Sequence, residues 1–178
     1  MKLKPEELRL YAVTDRAWTE GTEGVCRQVE AALGVKCVIN DDVDIAVESG
    51  ADGVHVGQED LEASLARERL GPGKIIGVSA HNAAEARRAE AAGADYIGSG
   101  AAFATSTKET AAPIGPEGLR AVVEAVSIPV VAIGGISREN IGRLEGLGLA
   151  GIAVVSALFA APDAEAAARE LSELAGRL

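Results

Sequence analysis

The sequence has no excess of basic charge, no long apolar run and almost no cysteine, and each lack removes a class of function. Seventeen Lys and Arg stand against 27 Asp and Glu, a formal net charge of −10. With no local basic patch, a nucleic-acid or acidic-membrane surface is excluded as a partner. An anionic substrate must then be held by local means: a metal, a lysine or aimed backbone amides. Cys26 and Cys37 are the only cysteines, have no metal-type spacing and read as buried thiols in a reducing compartment. No apolar run is long enough to span a bilayer, and the charged residues 1–8 argue against a signal peptide, which makes the cytoplasm the expected compartment. No Ser/His/Asp arrangement suggests covalent catalysis. The 178 residues are ample for a buried core and read as one domain, 1–178.

What is present is a repeating cycle of apolar strand, polar strand end and helix. The strands read as 8–13, 36–39, 54–56, 75–78, 96–98, 130–133 and 151–155, with helices over 23–33, 43–49, 61–70, 83–92, 118–126, 138–147 and 164–174. Gly50, Gly93 and Gly148 stand where a helix must stop and feed the next strand. Near-continuous apolar strands alternating with helices predict an α/β fold with a parallel sheet buried on both faces. Polar groups fall at the C-terminal end of almost every strand, so a TIM-type (β/α) barrel is favoured over a doubly wound sheet, which gathers its chemistry at one switch point.

The stretch Ala132-Ile133-Gly134-Gly135-Ile136-Ser137 organises the rest. Two glycines after a strand let backbone approach a ligand, and a helix beginning near Ser137 would aim free N–H groups at a phosphate. The strand ending at Val155 and Ser156 supplies a second such end, in the position where barrels commonly bind phosphate. Asp41 and Asp60 follow successive strands and together could hold Mg²⁺, although on spacing alone capping of the helices at Val43 and Leu61 is the stronger reading for each. Thr105-Ser106-Thr107-Lys108, in the longest polar loop, suits a phosphate or pyrophosphate and equally suits a solvated loop. Ser79 and His81 end one strand and could meet substrate, or His81 could cap the next helix; His55, between two valines, reads as a packing residue.

Together these stretches resemble thiamine-phosphate synthases, (β/α) barrel enzymes. The likeness is carried by Leu10 to Arg16, Val38 to Ala46, Gly50 to Asp60, Ile76 to Asn82, Gly93 to Gly98, Phe103 to Lys108, Val131 to Ile136 and Ile152 to Ala157, in the family's order. The resemblance implies coupling of an aminopyrimidine methyl diphosphate to a thiazole phosphate, giving thiamine phosphate and pyrophosphate. It implies that Asn40 and Lys108 hold the diphosphate, Asp41 and Asp60 the Mg²⁺, and that Ser79 meets the pyrimidine. Thr105, Ser106, Thr107, Gly135, Val155 and Ser156 would bind the thiazole phosphate. Ser79 and Lys108 are the candidates for the catalytic step.

The resemblance also exposes a departure. Between the helix 23–33 and the strand 36–39, the family has a further strand and helix carrying a Gln-x-Arg-Glu-Lys type motif that binds the diphosphate; here Leu33-Gly34-Val35-Lys36 passes directly across. Arg16 is at the correct strand end to replace part of the lost charge, whereas Lys36 is not. About seven βα units therefore remain, and a distorted or open barrel is expected, with self-association favoured by the broken ring. The competing functional readings are a thiazole-phosphate-binding relative or deletion variant with little turnover, and a thiazole tautomerase.

Overall fold

The computed structural model describes residues 5–12, 38–57, 63–105 and 112–178, within which seven strands form one parallel sheet. In chain order the elements are β1 (Leu10–Ala12), β2 (Val38–Asn40), α1 (Val43–Glu48), β3 (Gly53–Val56), α2 (Ala63–Leu70), β4 (Ile75–Ala80), α3 (Ala83–Ala91), β5 (Tyr96–Gly100), α4 (Gly115–Val123), β6 (Val130–Ile133), β7 (Gly151–Val154), α5 (Ser156–Phe159) and α6 (Ala164–Ala175). Spatially the strands run β1-β7-β6-β5-β4-β3-β2. The first and last strands of a barrel order thus lie at opposite ends of the sheet, and among the described residues no pairing joins β1 to β2. The sheet is the curled, opened barrel that a missing βα unit predicts.

Alternation along the strands builds two apolar layers. Ile39, Val54, Val56, Ile76, Val78, Ile97, Ile152 and Val154 face outward and join helix residues such as Leu119 and Leu171 in the larger cluster. Leu8, Ile75, Tyr96, Val131 and Ala153 form a smaller cluster on the concave side, with Tyr11 and Val38 against it. Backbone positions stop the helices as the sequence requires: Gly50, Gly93 and Gly148 have φ of 68°, 93° and 79°.

Four boundaries depart from the sequence reading. Leu8 belongs to a 3-10 turn, Pro5–Leu8, rather than to β1, and is buried. The helix expected over 118–126 is α4, one turn earlier: Pro116 sits in its first turn, where a missing N–H costs nothing. It ends well before Pro129, whose ring disfavours helical backbone in the preceding residue. The expected helix over 138–147 is only a 3-10 turn, Ile141–Leu144. Asn140 accounts for this, because its Oδ1 accepts from the Ser137 N–H at 2.9 Å and its Nδ2 donates to the Gly135 carbonyl at 2.8 Å, holding that stretch in a loop. Finally, the N-cap of α3 is Asn82, which accepts from the N–H groups of Ala84 and Glu85, and not His81. The helix expected over 23–33 and both cysteines lie outside the described residues.

Candidate active site at the C-terminal rim

Because all seven strands are parallel, their C-terminal ends share one rim. Inward-facing positions can be counted from the register: His55 pairs with Gly77, Gly77 with Tyr96, and Ser79 with Gly98. Alternation therefore turns His55, Ser79 and Tyr96 to the concave side.

The loop ends after β5, β6 and β7 enclose a pocket of about 260 Å³ lined by Ala104, Thr105, Gly135, Ile136, Ser137, Ser156 and Ala157. Thr105, Gly135 and Ser156, three residues singled out in the sequence, meet there; Val155 precedes Ser156 at the end of β7. Gly135 has φ of 65°, and a Cβ at this position would run into the Ala104 carbonyl oxygen and lie 2.8 Å from that of Phe103. Only glycine lets the two loops pass so closely. The loops are also tied by backbone bonds from Ala102 N–H to the Ile133 carbonyl (2.8 Å) and from Phe103 N–H to the Gly134 carbonyl (3.0 Å), while Arg143 stacks 5.0 Å from the Phe103 ring centroid. The pocket is not served by a long helix: the Gly-Gly turn leads into the loop held by Asn140, and α5 has four residues. Its donors are the first N–H groups of α5, which have no intrahelical acceptor, and the hydroxyls around the rim.

On the other side of the rim, Asn40 and Asp41 project from the end of β2. Asp41 is exposed, with φ of 64°, a left-handed conformation that Asp and Asn tolerate better than most residues. Its N–H donates to the His55 carbonyl at 2.8 Å, and its carboxylate accepts from Asn40 Nδ2 at 2.7 Å. Capping of α1 falls to Asp42, whose Oδ1 accepts from the Ile45 N–H at 2.9 Å. The capping alternative is thus met by the neighbour. Among the described residues no three His, Cys, Asp or Glu side chains gather as a metal cluster. Asp60, Ser106, Thr107, Lys108 and Arg16 lie outside the described residues.

Below the rim, Ser79 is half-buried and its Oγ lies 3.0 Å from His55 Nε2. His55 Nδ1 is 2.9 Å from the Tyr96 hydroxyl, which donates onward to the Tyr11 hydroxyl at 3.4 Å. His55 is therefore a concave-side polar group and not the packing residue its valine neighbours suggest. Burial, with Tyr11 beside it, raises the Tyr96 phenol well above its usual value. His81 is exposed; its ring Nδ1 donates to the Gly100 carbonyl at 2.6 Å and its backbone N–H to Glu85 at 2.7 Å. Sequence reasoning missed Asn140, His55, Tyr96 and Tyr11. The usable signal was parity: in each of 53–56, 75–80 and 96–100, every second residue faces the same side.

A sequence profile described as thiamine monophosphate synthase matches residues 7–158. The chain is 53% identical over 149 residues to a thiamine-phosphate synthase of Chloroflexus aurantiacus, covering 83% of this chain and 68% of that one. It is 51% identical over 168 residues to a thiamine-phosphate synthase of Ruminiclostridium cellulolyticum, covering 94% and 80%. Among solved structures, thiamine phosphate pyrophosphorylase from Pyrococcus furiosus superposes with a TM-score of 0.83 at 35% identity, covering 97% of each chain. Identity of this order, sustained across most of the chain and over the strand ends that carry the rim, has one consequence: the chain belongs to the thiamine monophosphate synthase family, transferases of thiamine biosynthesis.

Proposed function

We propose that this chain, acting as one barrel domain over 1–178, joins an aminopyrimidine methyl diphosphate to a thiazole phosphate, forming thiamine phosphate and releasing pyrophosphate. The observation that carries the reading is the rim pocket, in which Thr105, Gly135 and Ser156 from three separate loops converge with Ser137. Its polar lining and unsatisfied N–H groups suit the phosphate of the thiazole substrate. Val155, Ser106 and Thr107 complete that half in the proposal. Ser79, on the inner face, meets the pyrimidine, and Asn40 and Lys108 hold the diphosphate, with Arg16 supplying part of the charge lost with the absent βα unit.

Mg²⁺ fits the donor set. The ion is commonly held by one or two carboxylates, with water and substrate phosphate completing its shell, so a three-residue cluster is not required. Asp41 offers an exposed carboxylate that capping does not consume, and Asp60 is the proposed second ligand. When bound, the ion neutralises charge on the leaving pyrophosphate. The chain's own groups do the rest: Lys108 adds a point charge to the same leaving group, and the pocket aligns the thiazole nitrogen with the pyrimidine methylene carbon.

The test is formation of thiamine phosphate from both substrates, with and without Mg²⁺, for the unaltered protein and Lys108→Ala. Metal-dependent turnover that Lys108→Ala abolishes, with thiazole-phosphate binding retained, is the expected result. A folded protein that binds thiazole phosphate but ignores the diphosphate and the metal would instead be a half-site relative.

A further inference from the structure

Ser79 is one bond away from an aromatic chain that runs to the far edge of the sheet. Its Oγ meets His55 Nε2 at 3.0 Å, His55 Nδ1 meets the Tyr96 oxygen at 2.9 Å, and the Tyr96 hydroxyl donates to Tyr11 at 3.4 Å. The two rings are held face to edge, His55 and Tyr96 having centroids 5.4 Å apart at 42°.

The fold makes room for this arrangement at a cost in packing. A Cβ on Gly77 would collide with both the Tyr96 ring and the His55 ring, and one on Gly98 would lie 2.7 Å from His55 Cε1. Two consecutive strands thus give up side chains where His55 lies. The ring has little freedom to turn.

A neutral imidazole donates from one nitrogen and accepts at the other. Tyr96 has one proton and gives it to Tyr11, so its oxygen accepts from Nδ1–H of His55. Nε2 is then the bare nitrogen and accepts the Ser79 proton. Tyr96 remains a phenol across the neutral range, because burial raises its ionisation. Ser79 is left with its lone pairs for the site.

We propose that His55 is a positioning residue: clamped by Tyr96 as the Nδ1–H tautomer, it fixes the Ser79 hydroxyl as a hydrogen-bond acceptor for an N–H donor on the substrate ring. The inference rests on the reading that Ser79 meets an aminopyrimidine, whose exocyclic amine is such a donor. No carboxylate completes the pair among the described residues, so the arrangement orients an oxygen and does not create a nucleophile.

Two substitutions divide the ring between its nitrogens. Glutamine places its amide near Nε2 and can keep the bond to Ser79; asparagine places it near Nδ1 and cannot. His55→Asn should lower kcat by about 30-fold with KM for the thiazole phosphate little changed, while His55→Gln should lower it by about threefold. In a Ser79→Ala background, His55→Asn should cost less than about twofold. Equal losses from the two substitutions, or an undiminished loss in the Ser79→Ala background, would overturn the proposal while leaving the assigned reaction intact. A Ser79→Ala protein with unchanged pyrimidine kinetics would overturn the placement of Ser79 and this inference together. Should either His55 variant fail to fold, the unaltered protein still decides. It has two histidines, and nitrogen-15 spectra with His81→Gln for assignment should show His55 protonated at Nδ1 and bare at Nε2. The opposite tautomer would overturn the proposal.

Discussion

Single residues set the rim where backbone must do what side chains cannot. Gly135 combines a φ of 65° with carbonyl oxygens of Phe103 and Ala104 in the space a Cβ would need. Gly135→Ala therefore adds left-handed strain of about 1–3 kcal/mol and pushes two loops of the pocket apart. Calorimetric titration with thiazole phosphate is expected to show affinity down by about tenfold or more, with the helical circular-dichroism signal retained. Unchanged affinity would mean that the phosphate binds elsewhere. Asp41 is the contrasting case, a residue whose left-handed backbone is compatible with its type and whose neighbour Asp42 does the capping. Adjacent carboxylates that look alike in sequence are separated by one dihedral angle.

At the scale of elements, the opposite, N-terminal face carries stability. Arg67 of α2 forms an ion pair with Asp95 at 2.6 Å and donates to the carbonyls of Gly71 (3.1 Å) and Lys74. Asp95 in turn accepts from the Ile76 N–H at 2.9 Å at the head of β4. One half-buried side chain thus links a helix to the entry of two strands. Arg67→Ala should cost about 1–3 kcal/mol, since it strips a carboxylate of its partner and two carbonyls of their donor. Asp163 is a simpler device, accepting from the Ala166 N–H at 2.9 Å, and Asp163→Ala should cost about 1 kcal/mol. Urea denaturation should rank Arg67→Ala as the more damaging; the reverse order would show that the face is held by helix packing alone.

For the whole molecule, the concave side couples stability to pH. The Tyr96 ionisation is raised in the folded state, so folding retains a proton that the unfolded chain gives up first. That contribution is fully present below about pH 10, the unfolded value, and is lost as pH rises toward the folded one. On the acid side, the hydrogen bond from the Ser127 hydroxyl lowers Glu90, so its smaller contribution is present above about pH 4.3 and fades as pH falls through the folded value. Thermal melts between pH 8 and pH 11 should show a loss of stability that Tyr96→Phe diminishes. An identical alkaline loss in that variant would place the responsible group elsewhere.

Much of this architecture was legible without coordinates. The alternation of apolar strand and helix, the glycine stops and the short connection from Leu33 to Lys36 are local signals, and they sufficed for a parallel barrel lacking one unit. Thr105, Gly135 and Ser156 were identified as strand-end groups because a parallel sheet sends every strand end to one rim. Other features depend on where separate strands come to lie. The Asn140 side chain competes with helix formation by bonding back to Gly135, so a helical pattern over 138–147 yields a loop. His55 lies between valines, and nothing local says that Gly77 and Gly98 vacate the space its ring fills. The sequence by itself determined the periodic, local part, because propensity and patterning act over a few residues. Only the tertiary structure decided the His55–Ser79 pair and the rim pocket, because register across non-adjacent segments sets which side chains share a face.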